Sequence, residues 1–499
     1  MPEKDAILVI DQGTTSTRVM GFDLKGRTLA TAQREHEQHY PQSGWAEHDP
    51  EEIWQNTLSC LESALDGLRE KGHTPAGIGI TNQRETVVAW DKKTGKVFYN
   101  ALVWQDKRTA DFCQRLNTTH GIEIKNRTGL PADPYFSGSK MRWLVKNIKE
   151  VKAAAENETL AFGTMDSFLL WRLTGGKKHL TDSTNACRTL LFDIHKMDWS
   201  DNLLALFGVP RHALPEVKPN TFAFGKTEKK LLGISLPIAA MAGDQHAATF
   251  GQACFKEGMV KSTYGTGCFA MMNTGDTPIS SENGLLTTLA YHTGDKPVYG
   301  LEGSIFVAGA GVQWLRDKLD VIEAADETEA LAREADGNHP GLYFVPAFAG
   351  LGAPYWDSGA RGALLGMTLG TDKAAVCCAM LEAVCHQSLD LFSAMSADCD
   401  KKVAEVRVDG GMVVNDWLCQ RLSCLSRTPI RRPEVTETTA LGAAWLAGLS
   451  LGIYKEQSEL EKLWQKDGAF KPKMPEEEAH DKHRGWQKAV AAVQIYAKN

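Results

Sequence analysis

The sequence has no excess of positive charge. Its 499 residues include 55 Lys and Arg against 62 Asp and Glu, which gives a formal net charge of -7. Such a chain has no basic field that would attract a phosphodiester backbone, and this argues against nucleic acid as its main partner. Any phosphate group that the protein handles must therefore be held by local groups.

The sequence also lacks the cysteine patterns that crosslink a chain or bind zinc. The 11 cysteines are scattered, and no C-x-x-C pair occurs among them. This distribution argues against both a disulfide framework and a zinc site, and it favours a reducing, cytoplasmic setting.

Long apolar runs are equally scarce. The N-terminal "MPEKDAILVI" has too short an apolar run for a signal peptide, and the most apolar later stretch, "ALGAAWLAGLSLGIY", is rich in small residues. A clean membrane span needs about 20 predominantly apolar residues in succession. We therefore expect no membrane anchor.

What the sequence does contain is a regular alternation of short apolar strands and amphipathic helices, which predicts an α/β protein. Its length suits two domains of roughly 200–250 residues each. A Gly/Thr turn between two strand-like runs occurs in "ILVIDQGTTSTRVMGFD" and again, half a chain later, in "GMVKSTYGTGCFAMMNT". We place the domain boundary near Ala253, which gives domains 1–253 and 254–499 with the binding site in the cleft between them.

One helix is predicted in detail. Asp49 is its N-cap, Pro50 fits the first helical position, Glu52 completes a capping box, and Gly72 ends the helix. The segment after Tyr454 is rich in Lys and Glu, and we expect a solvated helical surface there.

The first hairpin has the composition of a phosphate site. Asp11 ends a buried strand, and the backbone N–H groups of Gly13, Thr14 and Thr15 follow in a tight turn. Such N–H groups can surround an anion, while the carboxylate can hold Mg²⁺ directly or through water. An ordinary turn in which Asp11 accepts local amides explains this stretch equally well. The second hairpin, around Thr266, favours the phosphate interpretation because two such turns can clamp a nucleotide from both sides.

Two later glycine clusters could approach a flat ligand. "VAGAGVQWL" places Gly309 and Gly311 before a helix, and "VRVDGGMVVND" places Gly410 and Gly411 after a strand. Missing side chains allow close approach of the backbone to a ligand. Each cluster alone is more often a packing or turn device. No Walker sequence G-x-x-x-x-G-K-[ST] occurs.

Two polar pairs follow apolar strands. Arg84 and Glu85 come after "GIGITNQ", and Asp244 and Gln245 come after "IAAMAG". Strand ends often carry function in α/β proteins. A structural salt bridge is the alternative for the first pair, and a helix N-cap is the commoner role for an aspartate such as Asp244.

These motifs together resemble the FGGY family of carbohydrate kinases, and within it the members that phosphorylate glycerol. The resemblance covers essentially the whole chain and includes "DQGTTSTR", "GWAEHDPEEIW", "GITNQRET", "DPYFSGSKMRWL", "AGDQ", "YGTGCF", "VPAFAGLGAPYWD" and "RVDGG", in the family's order. It implies an α/β fold of two ribonuclease-H-like domains flanking a central cleft, as in actin, hexokinase and the Hsp70 ATPase. The implied reaction is ATP plus glycerol giving sn-glycerol 3-phosphate and ADP, in a cytoplasmic homo-oligomer, either dimer or tetramer.

The resemblance also assigns residues. Glycerol contacts fall on Arg84, Glu85, Tyr135, Asp244 and Gln245, with Trp104 and Phe269 flanking the carbon backbone. Nucleotide contacts fall on Thr14, Thr15, Ser16, Arg18, Thr266, Gly309, Gln313, Gly411 and Asn415, with Asp11 organising Mg²⁺. Asp244 is implied as the base that accepts the proton of the attacking hydroxyl. A triol offers little apolar surface, so its recognition needs such a fan of donors and acceptors.

The match weakens at three places. His246 stands where many members have a second glutamine, and we favour a packing change there. "KTEKKLLGISLP" lacks the glycine-rich stretch that resembles a fructose 1,6-bisphosphate site, and no histidine lies between His212 and His246 to accept phosphate from a carrier protein. Neither form of regulation is therefore expected.

Three alternatives stay open. The acceptor could be another polyol or ketose, such as erythritol or xylulose, although Arg84 and Glu85 within "TNQRET" favour glycerol. The fold would also permit a chaperone-like or filament-forming ATPase, which does not need the Asp244 and Gln245 pair. A regulator that lost catalysis is the third, and intact Asp11 and Asp244 argue against it.

Overall fold

A computed structural model describes residues 4–498 as an α/β protein with two large sheets. Its strands are β1 (Ala6–Gln12), β2 (Ser16–Asp23), β3 (Thr28–Glu35), β4 (Glu47–His48), β5 (Pro75–Asn82), β6 (Val87–Asp91), β7 (Ala101–Leu102), β8 (Leu160–Thr164), β9 (Leu180–Asp182), β10 (Phe192–Asp193), β11 (Asp198–Trp199), β12 (Glu216–Lys218), β13 (Thr221–Lys226), β14 (Pro237–Gly243), β15 (Met259–Tyr264), β16 (Cys268–Gly275), β17 (Leu286–Thr293), β18 (Lys296–Ile305), β19 (Tyr343–Val345), β20 (Ala363–Leu365), β21 (Glu405–Asp409), β22 (Ile430–Pro433) and β23 (Lys466–Phe470).

The helices surround these sheets. They are α1 (Pro50–Glu70), α2 (Ala110–Thr128), α3 (Ser137–Asn147), α4 (Lys149–Glu156), α5 (Met165–Leu173), α6 (Ser183–Ala186), α7 (Asp201–Phe207), α8 (Lys229–Leu232), α9 (Asp244–Gly251), α10 (Gly309–Asp317), α11 (Glu327–Ala335), α12 (Lys373–Cys399), α13 (Asp416–Ser426), α14 (Thr438–Ser450), α15 (Gln457–Leu463) and α16 (Glu476–Ala497). Short 3₁₀ turns occupy Arg211–Ala213 and Gly411–Val414.

The two large sheets repeat one topology. The first has the strand order β13-β14-β5-β1-β2-β3, and the second has the order β17-β18-β16-β15-β21-β22-β23. In each sheet three antiparallel strands (β1-β2-β3, and β15-β16-β18) continue through two parallel neighbours to an antiparallel edge strand, and β17 adds one more strand beside β18 in the second sheet. The hairpin that the sequence repeats is thus the start of a repeated sheet.

Strand register brings polar residues to one edge of each sheet. Asp11, at the end of β1, lies opposite Arg18 in the hairpin and beside Thr81 on the parallel strand β5. In the second sheet Thr263 lies beside Asp409 in the same relationship. Because the carboxyl ends of parallel strands meet at one edge, both sheets present their polar residues to a common region.

Two helices cross closely between the sheets. A Cβ added to Gly442 on α14 would overlap the carbonyl oxygen of Ala247 on α9. The same α14 packs against β14, β5 and β1 of the first sheet. One buried apolar cluster consequently joins Ile7 and Val9 of β1 to the alanines of α14, so residues from both halves of the chain share a core.

The predicted helix after residue 49 is confirmed. Asp49 accepts a hydrogen bond from the backbone N–H of Glu51, Pro50 begins α1, and Gly72 follows its end with a positive φ of 80°. The capping box is incomplete, because the Glu52 carboxylate accepts from the backbone N–H of Glu37 at 3.2 Å.

The longest helix lies inside the protein. By length and composition α12 could cross a membrane, but 89% of its apolar window is buried within the fold. It contributes Met380, Ala383 and Val384 to the core beneath the second sheet, as expected of the central helix of a folded domain.

The prediction of a solvated surface after Tyr454 is wrong. β23 forms the edge of the second sheet, and the side chains of Trp464 and Trp486 are buried. The guanidinium of Arg407 stacks 3.8 Å over the Trp464 ring. Between its many Lys and Glu residues, α16 carries a buried apolar stripe at helical spacing, formed by Trp486, Ala489, Val490 and Val493.

Candidate active site

The residues predicted for the alcohol gather where β5 and β14 end. Arg84 and Glu85 follow β5 directly, and Asp244 and Gln245 begin α9 after β14. Strands β5 and β14 are parallel neighbours, with Gly243 paired to Asn82. The register therefore places the two polar pairs side by side.

Arg84 is the centre of this group. Its side chain is almost fully buried, and its Nη1 and Nη2 donate to the two carboxylate oxygens of Glu302 at 2.5 and 3.1 Å. Its Nε lies 3.3 Å from Oδ1 of Asp244 and 3.8 Å from Oε1 of Glu85. The salt bridge between Arg84 and Glu85 is thus the longest of its contacts, and the stronger partner is Glu302.

Glu85 is held in an unusual backbone conformation. Its φ is 62°, in the left-handed region that non-glycine residues seldom adopt, and its carboxylate accepts from Nε of Arg188 at 2.7 Å. Burial raises the pKa of Glu85 above its ordinary value, although Arg84 and Arg188 both oppose that shift. Backbone strain of this kind often accompanies a functional side chain.

Asp244 is positioned as an accessible carboxylate. It is the first residue of α9, the N-cap is Gly243, and its Oδ1 accepts the backbone N–H of Gln245 at 2.7 Å. The N-cap interpretation is therefore wrong. About a third of the side chain is exposed, at 34%.

A buried lysine contacts Gln245. Lys261 on β15 is fully buried, and its Nζ donates to Oε1 of Gln245 across the cleft. Burial lowers the pKa of Lys261, while the carboxylates of Asp409 and Asp244 oppose the shift. The amide of Gln245 is thereby oriented, because its oxygen faces the ammonium and its nitrogen is left to donate elsewhere.

The three aromatic residues predicted for the alcohol site are each half-buried. The Trp104 ring meets the Tyr135 ring edge to face at 5.6 Å, and its Nε1 donates to Oγ1 of Thr14 at 2.9 Å. Burial raises the pKa of Tyr135, so its phenol is neutral and can donate or accept. Phe269 lies on β16 between Thr263 and Ser304.

The sequence did not lead us to predict three charged residues of this site. Glu302, Arg188 and Lys261 are all buried at the site. Each one interrupts an apolar stretch: "VYGLEGSIF", "NACRTLLF" and "GMVKSTYG". A buried charge is costly unless it is paired. A charged residue inside an apolar stretch was therefore the available sign that each of these three residues is buried beside a partner.

His246 lies behind this group. It is buried, and within residues 4–498 neither ring nitrogen has a hydrogen-bond partner. Burial lowers the pKa of His246 well below its ordinary value, and Arg84 adds to the shift. A neutral ring packed against Gly243 agrees with the interpretation of His246 as a packing change.

Asp11 and Arg18 face the second half of the chain. Arg18 donates to Oδ2 of Asp11 at 2.8 Å and lies 2.7 Å from Oε2 of Glu437. Burial raises the pKa of Asp11, Arg18 opposes the shift, and the nearby carboxylate of Asp244 adds to it. The carboxylates of Asp11 and Asp244 thus lie near each other.

The first hairpin differs in one detail from the prediction. The N–H of Gly13 donates to the carbonyl of Ser16 at 2.9 Å, so it closes the turn and is not free for an anion. Across the described residues 4–498, no protein acceptor is found for the N–H groups of Thr14 and Thr15.

A cavity of about 590 Å³ lies behind the second hairpin. Five residues predicted to contact a nucleotide line it: Thr266, Gly309, Gln313, Gly411 and Asn415. The other four predicted nucleotide residues, Thr14, Thr15, Ser16 and Arg18, lie on the first hairpin. The structure thus divides the predicted nucleotide residues between the first hairpin and this cavity.

The glycine clusters have separate roles. A Cβ on Gly311 would overlap Sδ of Met380, and Gly410 has φ of 94° beside the Tyr264 carbonyl, so both serve packing. The backbone N–H of Gly309 donates a hydrogen bond to the carbonyl oxygen of Gly265. At Gly411 nothing lies within 4 Å of the Cβ position, which leaves its backbone open to the cavity.

Asn415 has a structural role as well. Its Oδ1 accepts the backbone N–H of Leu418 at 2.9 Å and caps α13. The side-chain Nδ2 is left to donate into the cavity. Gln313 lies on α10, and its side chain is exposed.

Two sheets of repeated topology, with polar strand ends and a nucleotide-sized cavity behind the second hairpin, are typical of the class of two-domain α/β kinases. The residues 6–251 match the N-terminal domain model of the FGGY family of carbohydrate kinases, and residues 260–451 match its C-terminal domain model. The chain belongs to this family. Its fold is the ribonuclease-H-like, actin-like ATPase fold, as the sequence resemblance implied.

Comparison with individual relatives supports this family assignment. The glycerol kinase of Methylobacterium nodulans is 53% identical over 491 residues, covering 98% of each chain. The crystal structure of Plasmodium falciparum glycerol kinase with ADP has a TM-score of 0.94 at 37% identity and covers 98% of each chain. Xylulose kinase from Lactobacillus acidophilus has a TM-score of 0.88 at 23% identity, with 99% of this chain and 98% of that chain covered, which supports the fold alone.

Proposed function

We propose that the protein transfers the γ-phosphoryl group of ATP to glycerol and forms sn-glycerol 3-phosphate. Relatives that share about half of its residues over nearly the full length are named glycerol kinases. The observation that carries the proposal is the clustering of Arg84, Glu85, Asp244 and Gln245 at two adjoining strand ends. This set offers charged donors and acceptors around a small space, as a triol needs.

We propose Asp244 as the base. Its carboxylate is partly exposed, stands at a helix N-terminus and lies 3.3 Å from Nε of Arg84. It would accept the proton of the primary hydroxyl as that oxygen attacks. Since phosphoryl transfer passes through a loose transition state, the base acts late, and alignment and charge neutralisation supply most of the acceleration.

The nucleotide would bridge the two halves of the chain, which we propose as domains 1–253 and 254–499. The cavity lined by Thr266, Gly309 and Gly411 would take the nucleoside, and the hairpin carrying Thr14 and Thr15 would hold the phosphates. The turn N–H groups suit that charge, and Arg18 on the same hairpin would add a side-chain cation.

Asp11 is the residue that fits Mg²⁺. Within residues 4–498 there is no cluster of three or more His, Cys, Asp or Glu side chains arranged to hold a metal ion. Mg²⁺ bound to a nucleotide usually needs only one or two carboxylates, because phosphates and water complete its shell. Its chemistry would be to neutralise charge on the phosphates, and the carboxylate of Asp11, near that of Asp244, would be stabilised by a cation.

The test is coupled ADP release by the purified full chain with glycerol, erythritol, xylulose and no acceptor. We expect kcat/KM for glycerol to exceed that for the other acceptors by about tenfold or more, because an unmatched hydroxyl leaves buried polar groups unpaired. Preference for xylulose or erythritol would contradict the proposed acceptor.

The assay without acceptor tests whether water can take the place of the alcohol. Water is far more abundant than glycerol, so the site must close on the alcohol to exclude it. We expect ADP release without acceptor to be at most about 1% of the rate with glycerol, because the catalytic groups align only when the site closes on the alcohol. A high acceptor-independent rate would favour the ATPase alternative.

A further inference from the structure

The alcohol-binding pair Arg84 and Glu85 is held by two residues outside it. Glu302 accepts from both terminal nitrogens of Arg84, at 2.5 and 3.1 Å, and also from Nη2 of Arg188 at 3.0 Å. Arg188 then donates through Nε to Glu85 at 2.7 Å. These contacts form one continuous chain, Arg84 to Glu302 to Arg188 to Glu85.

We propose that Glu302 and Arg188 are positioning residues, which orient Arg84 and Glu85 for the alcohol. The inference rests on the proposed function, since it concerns how the same site binds its acceptor. Neither residue is among those predicted to contact the alcohol or the nucleotide. They act through the two residues that do.

The geometry of the chain carries the proposal. All four side chains are at most 4% exposed, so each charge depends on its partners for stabilisation. The ion pair between Arg84 and Glu302 is bidentate, and its two parallel N–H groups fix the plane of the guanidinium as well as its position. Arg188 reaches two carboxylates at once through different nitrogens, which a lysine could not do.

Loss of Glu302 would release Arg84 toward the site. Its Nε already lies 3.3 Å from Asp244 and 3.8 Å from Glu85. Without the carboxylate behind it, the guanidinium would turn to these two groups, which the alcohol hydroxyls must reach. The acceptor would then compete with an internal ion pair.

The bridge also crosses between the halves of the chain. Glu302 lies on β18, whereas its two arginine partners come from the first half. Seven residues farther on, Gly309 begins α10 and lines the nucleotide cavity. One strand thus supports the alcohol site at one end and leads to the nucleotide site at the other.

The experiment compares Glu302→Gln and Arg188→Lys with the wild type, and Glu405→Gln serves as the matched control. Glu405 likewise accepts from two arginines, Arg407 at 2.9 Å and Arg431 at 2.7 Å, but it lies on β21 away from Arg84. We measure KM and kcat for glycerol and the Kd of ADP.

We expect both site variants to raise KM for glycerol by about tenfold to one hundredfold, the effect of losing one charge-assisted hydrogen bond. We expect kcat and the Kd of ADP to change by less than about threefold, and Glu405→Gln to leave all three near wild type. A fall in kcat with unchanged KM, or a KM within twofold of wild type, would overturn the proposal.

A double variant separates positioning from general stability. If Glu302 acts through Arg84, adding Glu302→Gln to Arg84→Met should raise KM by less than about twofold more, because the shared interaction is already lost. Full additivity would overturn the proposal. Should Glu302→Gln fail to fold, Glu302→Asp keeps the charge but shortens the reach, and the same criteria on KM apply to it.

Failure of the proposed function would look different. If the wild-type chain does not phosphorylate glycerol, that function is wrong, and the same variants are measured with whichever acceptor the wild type uses. The positioning proposal then predicts the same rise in KM for that acceptor.

Discussion

At the scale of single residues, the site is a set of charges that restrain one another. Arg84 contacts three carboxylates, Lys261 contacts Gln245, and Arg18 lies between Asp11 and Glu437. Burial makes each of these contacts stronger than it would be in water, and it makes the loss of one partner costly. Among the carboxylates that contact Arg84, Asp244 is the one left partly exposed.

This arrangement leads to a prediction for Asp244→Asn. The amide keeps the shape of the side chain but cannot accept the hydroxyl proton, so we expect kcat with glycerol to fall by roughly 10²–10⁴-fold. Binding of ADP, measured by calorimetry, should stay within about threefold of wild type, because the nucleotide cavity lies on other elements.

The control for this prediction is Asp201→Asn. Asp201 is also the first residue of a helix, α7, but its side chain is 82% exposed and far from the site. It should leave turnover unchanged. Near-normal turnover by Asp244→Asn would remove Asp244 from the role of base.

At the scale of elements, the site depends on the close crossing of α9 and α14. Asp244 begins α9, and Thr438 at the start of α14 donates to Asp409 at 2.7 Å. Gly442 on α14 and Gly251 on α9 allow the two backbones to approach. The crossing thus ties the first residue of one helix to the strand ends of both sheets.

Gly442→Ala should therefore destabilise the protein. In a free helix this change stabilises by about 1 kcal/mol, but here the new Cβ overlaps the Ala247 carbonyl and must push the helices apart. We expect the free energy of unfolding in urea to fall by about 2 kcal/mol or more, with a lower kcat/KM because Asp244 moves.

Gly121→Ala on α2 is its matched control. The nearest atom to the added Cβ, Oδ1 of Asn117, is 3.6 Å away, which is an ordinary contact. This variant should be neutral or slightly stabilising. Equal stability of the two variants would show that the crossing tolerates an added methyl group.

At the scale of the whole molecule, the two halves of the chain share a buried apolar core. The second half supplies α14, which covers β1, β5 and β14 of the first sheet. Ile7, Val9 and Phe22 lie fully buried in the shared cluster. The predicted boundary at residue 253 separates two repeated sheets, but it does not separate two cores.

A fragment of residues 1–253 should consequently not fold alone. Without α14 it exposes a broad apolar face, so we expect no cooperative unfolding transition and strong binding of a hydrophobic dye. Co-expression with residues 254–499 should restore a cooperative transition in the purified pair. A monomeric 1–253 fragment with native near-ultraviolet circular dichroism would contradict this.

Much of the fold was predictable because local patterns dictated it. Alternation of strands and helices, the caps at Asp49 and Gly72, and the repeated hairpin all depend on neighbours in sequence. The prediction for the tail was wrong because it followed the overall charge of the segment and passed over Trp486, Ala489 and Val493, whose helical spacing is that of a buried face. The capping box failed because Glu52 has a competing partner, Glu37, from another element.

The sequence by itself determined that this is an α/β kinase of the FGGY family, and it determined which polar residues follow the strands, since motifs and strand ends are local features. Only the tertiary structure decided which of those residues face one another. Glu302 and Arg188 are distant in sequence from Arg84 and Glu85. They could be identified as the partners of these residues only from the folded structure, because the partners of a buried charge are set by distance in space.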